Sequence, residues 1–524
     1  MHVSHPHRCE RGPHIQTEAV IMQSLTLPIL SSSKSSLRQL EKRMASSHSY
    51  QHWLELAKEH DTRSGSTLWR EETKSSLYDY NEINARHKKL KTLLNAGAHR
   101  ELLYALNEGI HGNMGGMGRA VLYNRAKAGT KTLIDSYVIT IAQAMDCIHN
   151  SPNNVISYPD KLDFFRRASH CYGRSALMLS GGAGLIYFHH GVVQELIDHD
   201  LLPNVISGAS AGSIVSAMLG TKTHAELKAG YFTGKRYEET NNTRLMDVFM
   251  GRTTEQQARA SRERTLDEVI AMDLTFQEAF EHTGRYINIS ISPAEKHQSS
   301  RLMNAITSPN VFIRSAVAAS CSIPGLMPSE RLYAKGFDGK ARPYLASRRW
   351  VDGSVSGDLP AKRLMRLYGV NHFIVSLINP MVVPFIEDVK TTQTKGFRNA
   401  LTEAFIRVLN EGLSTSEKFF DRRGDMGSRI AAQLAYLIRM LEQNYLGDIN
   451  ILLEKSDFKW RHTVFEFKDG EIENLINIGK RSTWPKIAMI KNAALISKTL
   501  DRILEELNQQ NLSEQAKGKH HIYT

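Results

Sequence analysis

The chain has no long apolar segment. Nowhere in its 524 residues do about 18 apolar residues follow one another, the length that a membrane-spanning helix requires. The stretch from Thr132 to Ile148 comes closest, but it contains Asp135, Gln143 and Asp146. It therefore predicts a buried or amphipathic helix, and a membrane-spanning helix is not supported.

Cysteine is scarce and scattered. The four cysteines are Cys9, Cys147, Cys171 and Cys321, which lie far apart and lack the spacing of metal ligands. A disulfide framework and a zinc site are therefore disfavoured, and a reducing compartment is expected. We expect no metal and no cofactor.

The first 46 residues carry no evident secretory signal. They are rich in serine and histidine, and no basic start is followed by an apolar core. We expect this segment to be disordered, with Met1, Met22 and Met44 as alternative starts. An intracellular, cytoplasmic location is the corresponding expectation.

The remaining composition is that of a globular protein, with 41% hydrophobic and 23% charged residues. From residue 175 to about 380, short apolar strands alternate with helices, which predicts an α/β fold with a parallel or mixed sheet flanked by helices. A long helix is expected near Met426 to Tyr445. The expected divisions are a disordered segment 1–46, a helical domain 47–170, an α/β domain 171–385, a mainly helical region 386–507 and a polar tail 508–524.

A serine lies at the apex of a predicted strand–turn–helix. The segment Gly208-Ala209-Ser210-Ala211-Gly212 follows an apolar strand and opens a helix. Small residues on both sides let the strand and helix approach each other, and the helix N-terminus favours developing negative charge near the hydroxyl. The pattern predicts that Ser210 is a nucleophile, with Gly208 and Gly212 forming its elbow.

A glycine-rich turn follows the preceding strand. Ser180-Gly181-Gly182-Ala183-Gly184 connects the strand Ser175–Leu179 to a helix. A dinucleotide fingerprint would require a glycine at Tyr187, and a phosphate-binding P-loop would require a lysine, so both nucleotide interpretations fail. The alternatives are a purely structural turn and an oxyanion hole built from backbone amides, and the serine elbow favours the second.

A serine nucleophile requires a base, and the sequence offers two candidates. Asp352 ends a short apolar strand, and a parallel sheet places its chemistry at the carboxyl ends of strands. His372 would complete a Ser-Asp-His order, but it begins its strand and so belongs to the opposite edge. His189 and His190 are expected to be packing or surface residues. A Ser–Asp dyad is therefore favoured.

These motifs, in this order, resemble the patatin-like phospholipases, which hydrolyse acyl esters with a Ser–Asp dyad. The resemblance implies Ser210 as nucleophile, Asp352 as its base, and an oxyanion hole of backbone amides. The amides are those of Gly181, Gly182, Ala183 and Gly184. Ser180 and Leu185 differ from the Asp and basic residue of plant patatins, and the form is nearer to the fungal and plant triacylglycerol lipases.

The segment before residue 170 is similar to the domain of unknown function that precedes the patatin domain in those lipases. Trp53, Trp69-Arg70 and Leu77-Tyr78-Asp79-Tyr80 carry this similarity. The resemblance implies a lipase that cleaves triacylglycerol. Phospholipase A, lysophospholipase and acyltransferase activities are the alternatives, and a non-enzymatic lipid-binding protein is disfavoured.

Positive charge is concentrated just before Asp352. The formal net charge is +12, and residues 301–350 contain eight Lys/Arg against two Asp/Glu. One interpretation is a solvated surface loop, and the other is a basic rim that meets anionic lipid. No motif for nucleic-acid binding is present. We expect the partner to be lipid at a membrane or droplet surface, with peripheral association.

Overall fold

The computed structural model describes residues 35–230, 255–270, 273–295, 298–324, 327–380, 382–383, 447–459, 461–464, 467–468 and 470–520. Up to Tyr172 this part of the chain contains helices and turns. Ser49, Asp79 and Ser157 begin three of the helices by accepting a hydrogen bond from a first-turn amide. The helices are α1 (35–45), α2 (Tyr50–Ser64), α3 (Ser66–Glu71), α4 (Tyr80–Asn95), α5 (His99–Asn107), α6 (Thr132–His149) and α7 (Tyr158–Tyr172).

Helix α1 corrects the expectation that the chain is disordered up to residue 46. Leu40 and Met44 lie one helical turn apart and are only 2% and 6% exposed. Their burial in the core of the helical region stabilises a segment whose serine-rich composition predicts disorder. Residues 1–34 of the same prediction lie outside the described residues.

A mixed sheet follows the helical region. Its strand order is β4-β3-β2-β1-β8-β9, with β7 pairing to β3 as well. The pairs β1–β2, β1–β8, β2–β3 and β8–β9 are parallel, whereas β4 and β7 run antiparallel to β3. The strands are β1 (Arg174–Leu179), β2 (Val205–Gly208), β3 (Tyr286–Pro293), β4 (Arg301–Met303), β5 (Leu332–Lys335), β6 (Ala341–Tyr344), β7 (Trp350–Asp352), β8 (Val370–Leu377) and β9 (Ile449–Leu452).

Helices cover both faces of this sheet. In β1, Leu177 and Leu179 pack into the larger core, while Ala176 and Met178 pack into a second cluster on the other face. This alternation is what a strand buried on both faces requires. The predicted α/β fold is confirmed. The helices are α8 (Ile186–Asp198), α9 (Ala211–Gly220), α10 (His224–Lys228), α11 (Glu255–Val269), α12 (Phe276–Thr283), α13 (Ile313–Ser320), α14 (Ser354–Gly357), α15 (Ala361–Tyr368), α16 (Arg461–Val464), α17 (Glu471–Thr483) and α18 (Ile487–His520).

The last helix joins the sheet region to the helical region. Helix α18 packs against α6, α7 and β1. The Tyr158 hydroxyl donates to the Leu507 carbonyl at 2.9 Å, and the Asn492 amide donates to Asp135 at 2.7 Å. Asp135, one of the charges that weakened a membrane-span interpretation of Thr132–Ile148, is thus a partner in helix packing. The helix expected near Met426 to Tyr445 lies outside the described residues.

The basic loop expected before Asp352 is an antiparallel hairpin of β5 and β6, separate from the main sheet. Its first strand is fixed to the body of the protein, because the Phe312 amide donates to the Tyr333 carbonyl at 3.0 Å and the Lys335 amide donates to the Asn310 carbonyl at 2.8 Å. Within the described residues, no helix has both the length and the apolar character needed to cross a bilayer.

Candidate active site

Ser210 occupies a strained turn between β2 and α9. Its backbone has φ 50° and ψ −121°, a combination that a residue with a Cβ atom rarely adopts. The residue is buried, with 7% of its surface exposed. Helix α9 begins at Ala211, directly after the serine, so the Ser210 hydroxyl lies at a helix N-terminus.

Two glycines make this turn sterically feasible. A Cβ atom on Gly208 would lie 2.1 Å from the Gly212 carbonyl oxygen, and one on Gly212 would lie 2.2 Å from the Leu179 carbonyl oxygen. Both separations are far below van der Waals contact. The G-x-S-x-G spacing therefore reflects close packing of β2, α9 and the end of β1 around the serine.

A chain of hydrogen bonds fixes the serine backbone. The Ser210 amide donates to the Ser320 hydroxyl at 2.9 Å, and that hydroxyl donates to the Ser290 carbonyl at 2.7 Å. The Ser213 hydroxyl donates to the Ser210 carbonyl at 2.6 Å. The turn is thereby tied to helix α13 and to strand β3 as well as to its own helix.

The strand that carries Asp352, β7, runs toward Ser210 from the direction opposite to β2. Ile291 of β3 pairs with Arg301 of β4 and with Asp352 of β7, so β7 lies on the edge of β3 that also carries β2. Strand β2 is parallel to β3 and ends opposite Ile289, whereas β7 is antiparallel and ends opposite Ile291. The carboxyl ends of β2 and β7 therefore point at each other. We expected Asp352 to end a strand of a parallel sheet, and β7 is antiparallel.

The Asp352 carboxyl group is buried and hydrogen-bonded. It is 1% exposed, and its Oδ1 atom accepts from the Ser354 amide at 2.8 Å and the Ser354 hydroxyl at 2.7 Å. Burial raises the pKa of Asp352 to about 6, although the hydrogen bonds from Ser354 and, to a smaller extent, the nearby Ser210 side chain oppose the rise. The Ser210 side chain is near enough to influence this pKa, so the expected nucleophile and base lie in the same part of the molecule.

The histidines occupy other places. His372 lies near the start of β8, opposite Ser175, whereas Ser376 of the same strand lies opposite Leu179 at the carboxyl edge. Four strand residues separate these two levels, or about 13 Å. Burial lowers the pKa of His372, and the charge of Asp448 partly opposes this. In the described part of the chain, no histidine ring hydrogen-bonds to the Ser210 hydroxyl.

The glycine turn lies against the serine, but its first amide already has a partner. A Cβ atom on Gly181 would lie 3.2 Å from the Ser210 Cβ atom, which places the two turns in contact. The Gly181 amide donates to Asp358 Oδ1 at 2.8 Å. It is therefore not available to an oxyanion, which corrects the expectation for Gly181. Gly182 and Ala183, and Gly184 within the 3₁₀ turn Ala183–Leu185, remain candidates.

The backbone of the turn is as unusual as that of the elbow. Ala183 has φ 48°, a positive value in a residue with a Cβ atom. Neighbouring groups also exclude side chains at two positions. A Cβ atom on Gly182 would lie 2.5 Å from the Ile378 side chain. A Cβ atom on Gly184 would lie 2.2 Å from the His462 carbonyl oxygen. The turn is thus packed between Ile378, directly after β8, and helix α16.

Asp358 is a component that sequence reasoning missed. It is fully buried, and its Oδ2 atom accepts from the Asn379 amide at 3.1 Å while Oδ1 holds Gly181. Burial raises its pKa to about 7, and the negative charge of Asp352 contributes to the rise. The available signal was the Asp358-Leu359-Pro360 segment ahead of helix α15, which resembles an ordinary helix start.

His189, expected to be a packing or surface residue, is fully buried against the glycine turn. One ring nitrogen lies 2.9 Å from the Ser180 carbonyl oxygen and the other lies 2.7 Å from the Ser376 hydroxyl. Burial lowers its pKa to about 4, so the ring is neutral at physiological pH. The Ser180 hydroxyl accepts from the Ile378 amide at 2.9 Å. These buried hydrogen bonds thus support the residue that begins the glycine turn, Ser180.

Comparison with known families agrees with this geometry. Residues 177–365 match the model of the patatin-like phospholipases, and this range contains Ser210, Asp352 and the glycine turn. This part of the chain is similar to the patatin-like phospholipases. Residues 30–170 match a domain of unknown function, DUF3336. The resemblance drawn from the motifs is confirmed, including the domain that precedes the patatin-like domain.

Alignments with curated relatives cover most of this chain. Triacylglycerol lipase SDP1L of Arabidopsis thaliana is 30% identical over 89% of this chain and 58% of its own length. Triacylglycerol lipase 4 of Saccharomyces cerevisiae is 32% identical over 85% of this chain and 50% of its own. A patatin-like phospholipase domain-containing protein of Aspergillus fumigatus is 29% identical over 89% of this chain and 69% of its own. The chain therefore spans about half the length of the two lipases.

Proposed function

We propose that this protein is a serine acyl hydrolase that cleaves fatty-acyl esters of neutral lipid, with triacylglycerol as its substrate. The observation that carries the proposal is that Ser210 and the buried Asp352 carboxyl group lie at facing strand ends, beside a glycine turn. The names of the two triacylglycerol lipase relatives favour the substrate.

In the proposed reaction, the Ser210 oxygen attacks the carbonyl carbon of the ester while Asp352 accepts the serine proton. A carboxylate with a pKa of about 6 is a stronger base than an ordinary aspartate and is still mostly ionised at neutral pH. The base can therefore work without a histidine. Collapse of the tetrahedral intermediate passes the proton to the leaving alcohol and leaves an acyl group on Ser210.

The glycine turn supplies the proposed oxyanion hole. The amides of Gly182 and Ala183 donate to no other group within the described residues, and the N-terminus of α9 adds favourable dipole potential. Water, deprotonated by Asp352, then releases the fatty acid from Ser210. An alcohol in place of water would give acyl transfer, so a lysophospholipid acyltransferase activity is the alternative outcome of the same intermediate.

Phospholipid is the second candidate substrate, because the Aspergillus fumigatus relative is named for a phospholipase domain. Purified protein assayed in parallel on triacylglycerol and phosphatidylcholine emulsions decides between the two. We expect faster fatty-acid release from triacylglycerol. Faster release from phosphatidylcholine would overturn the substrate and leave the acyl hydrolase in place.

The variant Ser210→Ala tests the nucleophile. It removes one oxygen atom from a buried turn, so folding should be preserved while hydrolysis falls by several orders of magnitude. A fluorophosphonate probe should label the wild-type protein and not the variant. Near wild-type hydrolysis by folded Ser210→Ala would overturn the assignment. The division of the chain into the domains expected from the sequence, apart from the disorder expected at 35–46, and its peripheral association with a lipid surface are further parts of the proposal.

A further inference from the structure

The β5–β6 hairpin presents an aromatic side chain entirely to solvent. Its turn, Gly336 to Lys340, is closed by a hydrogen bond from the Gly336 amide to the Lys340 carbonyl at 2.9 Å. Phe337 lies at this turn with a relative exposure of 114%, whereas Leu332 at the base is fully buried. An exposed phenylalanine at the tip of a hairpin whose base is fixed has no role in the folded core.

More apolar surface lies on the same hairpin. Tyr333 and Leu345 are 40% and 37% exposed, so the tip and both flanks of the hairpin present large hydrophobic side chains to solvent. Singly scattered exposed apolar residues are normal on protein surfaces. Three on one short hairpin instead give it exposed apolar surface of the kind that interaction sites contain.

The charge around this patch is positive. From Arg331 to Arg349 the chain has six basic residues and one acidic residue, Asp338, which is paired with Arg342 at 3.0 Å. Lys335 is paired with Glu278 at 2.6 Å. The remaining basic side chains have no carboxylate within ion-pair distance among the described residues: Arg331, Lys340, Arg348 and Arg349. A surface with this charge fits an anionic partner.

We propose that the β5–β6 hairpin docks the protein on an anionic lipid surface, with Phe337 inserting among the lipids and the basic side chains facing their headgroups. Aromatic residues favour the boundary between water and lipid, and basic residues near an anionic surface add attraction that salt screens. The apolar tip and the basic flanks match the two layers of such a surface. The basic loop expected from the sequence thus also has an apolar residue, Phe337, at its tip.

The hairpin is also connected to the active site. Glu330, before β5, pairs with Trp350 of β7 through two backbone hydrogen bonds of 2.8 Å, and β7 ends at Asp352. Docking through the hairpin therefore fixes the orientation of the strand that carries the proposed base. This role rests on the proposed function, because it presents the active site to substrate held in a lipid phase.

Sedimentation of the full chain with vesicles of equal amounts of phosphatidylcholine and phosphatidylserine tests the proposal. We expect Phe337→Ser to weaken vesicle binding by about tenfold or more, as removal of one buried phenylalanine from lipid implies. Leu68→Ser is the matched control, because Leu68 is 72% exposed but lies in α3 of the helical region. It should bind vesicles like the wild-type protein. Equal binding by Phe337→Ser and wild type would overturn the proposal.

Charge is tested by Lys340→Gln, with Lys74→Gln as the matched control on an exposed lysine outside the hairpin. Lys340→Gln should weaken binding at low salt and have a smaller effect at high salt, whereas Lys74→Gln should have no effect at either. Equal effects of the two lysine variants would show that only the net charge of the protein matters. A shift of Phe337→Ser from dimer to monomer in size-exclusion chromatography, with vesicle binding unchanged, would assign the hairpin to self-association and overturn the proposal.

Two further measurements separate this proposal from the proposed function. Catalytically inactive Ser210→Ala should bind vesicles like wild type, so docking is measured without turnover. A short water-soluble ester reports catalysis without docking. Phe337-dependent vesicle binding by a protein that cleaves no ester would contradict the proposed function alone. Ester cleavage by a protein that does not bind vesicles would contradict the docking proposal alone.

Discussion

Ser210 and Asp352 lie at facing strand ends along one edge of β3, because the strands that lead to them run in opposite directions. Strand β2 delivers the serine and β7 delivers the aspartate to neighbouring positions along the same edge of β3. The backbone of Ser290, between the two pairing positions, accepts the hydrogen bond that continues from the Ser210 amide through Ser320. The sheet therefore holds the two residues near each other.

The first prediction separates a dyad from a triad. Asp352→Asn should reduce hydrolysis by several orders of magnitude, because it replaces the base with an amide that cannot accept the serine proton. His372→Ala should retain most activity, because His372 lies near the other edge of the sheet. Rates on a short water-soluble ester check both. Loss of activity in well-folded His372→Ala would require a histidine base.

The second prediction concerns pH. The base form of Asp352 is the ionised one, and burial raises its pKa to about 6. The value of kcat/KM for a non-ionising ester should therefore fall about tenfold per pH unit below pH 6 and level off above pH 7. An unperturbed aspartate, with a pKa near 3.9, would keep activity constant down to about pH 5. A profile that stays flat between pH 5 and pH 7 would contradict Asp352 as the buried base.

The third prediction concerns Asp358 as a positioning residue. Asp358→Ala leaves the buried Gly181 amide without its acceptor, at a cost of about 1–3 kcal/mol, and should loosen the glycine turn. We expect kcat to fall about 10- to 100-fold with little change in KM. Asp358→Asn should recover part of this loss, because an amide oxygen can still accept from Gly181. A purely structural role would lower the stability of Asp358→Ala and leave the kcat of the folded fraction unchanged.

The fourth prediction concerns the elbow glycines. Gly212→Ala places a Cβ atom 2.2 Å from the Leu179 carbonyl, a clash that backbone movement alone can relieve. We expect a loss of several kcal/mol in the free energy of unfolding, in the range of severe core overpacking. Gly97→Ala is the control, because its Cβ atom meets nothing within 4 Å and only its φ of +61° is unfavourable. It should cost about 1 kcal/mol. Denaturant unfolding measures both, and equal losses would contradict the packing argument.

The sequence alone was sufficient to predict the local parts of the candidate site. A strand, a small-residue turn and a helix are specified within a few neighbouring residues, so Ser210 and the glycine turn could be recognised from their spacing alone. The order of these motifs also identified the patatin-like family. His372 could be set aside because its position within a strand determines which edge of the sheet it occupies.

Tertiary structure decided the features that depend on residues far apart in the chain. The direction of β7 depends on which edge of β3 accepts it, and three strand residues do not encode that choice. The Gly181 amide is occupied because Asp358 folds back onto it, a contact that no local pattern reveals. Burial of Leu40 and Met44 stabilises α1 as a helix, whereas Phe337 remains exposed. Local sequence specifies turns and helices through short-range sterics and hydrogen bonds, whereas burial and strand pairing depend on what the rest of the chain brings alongside.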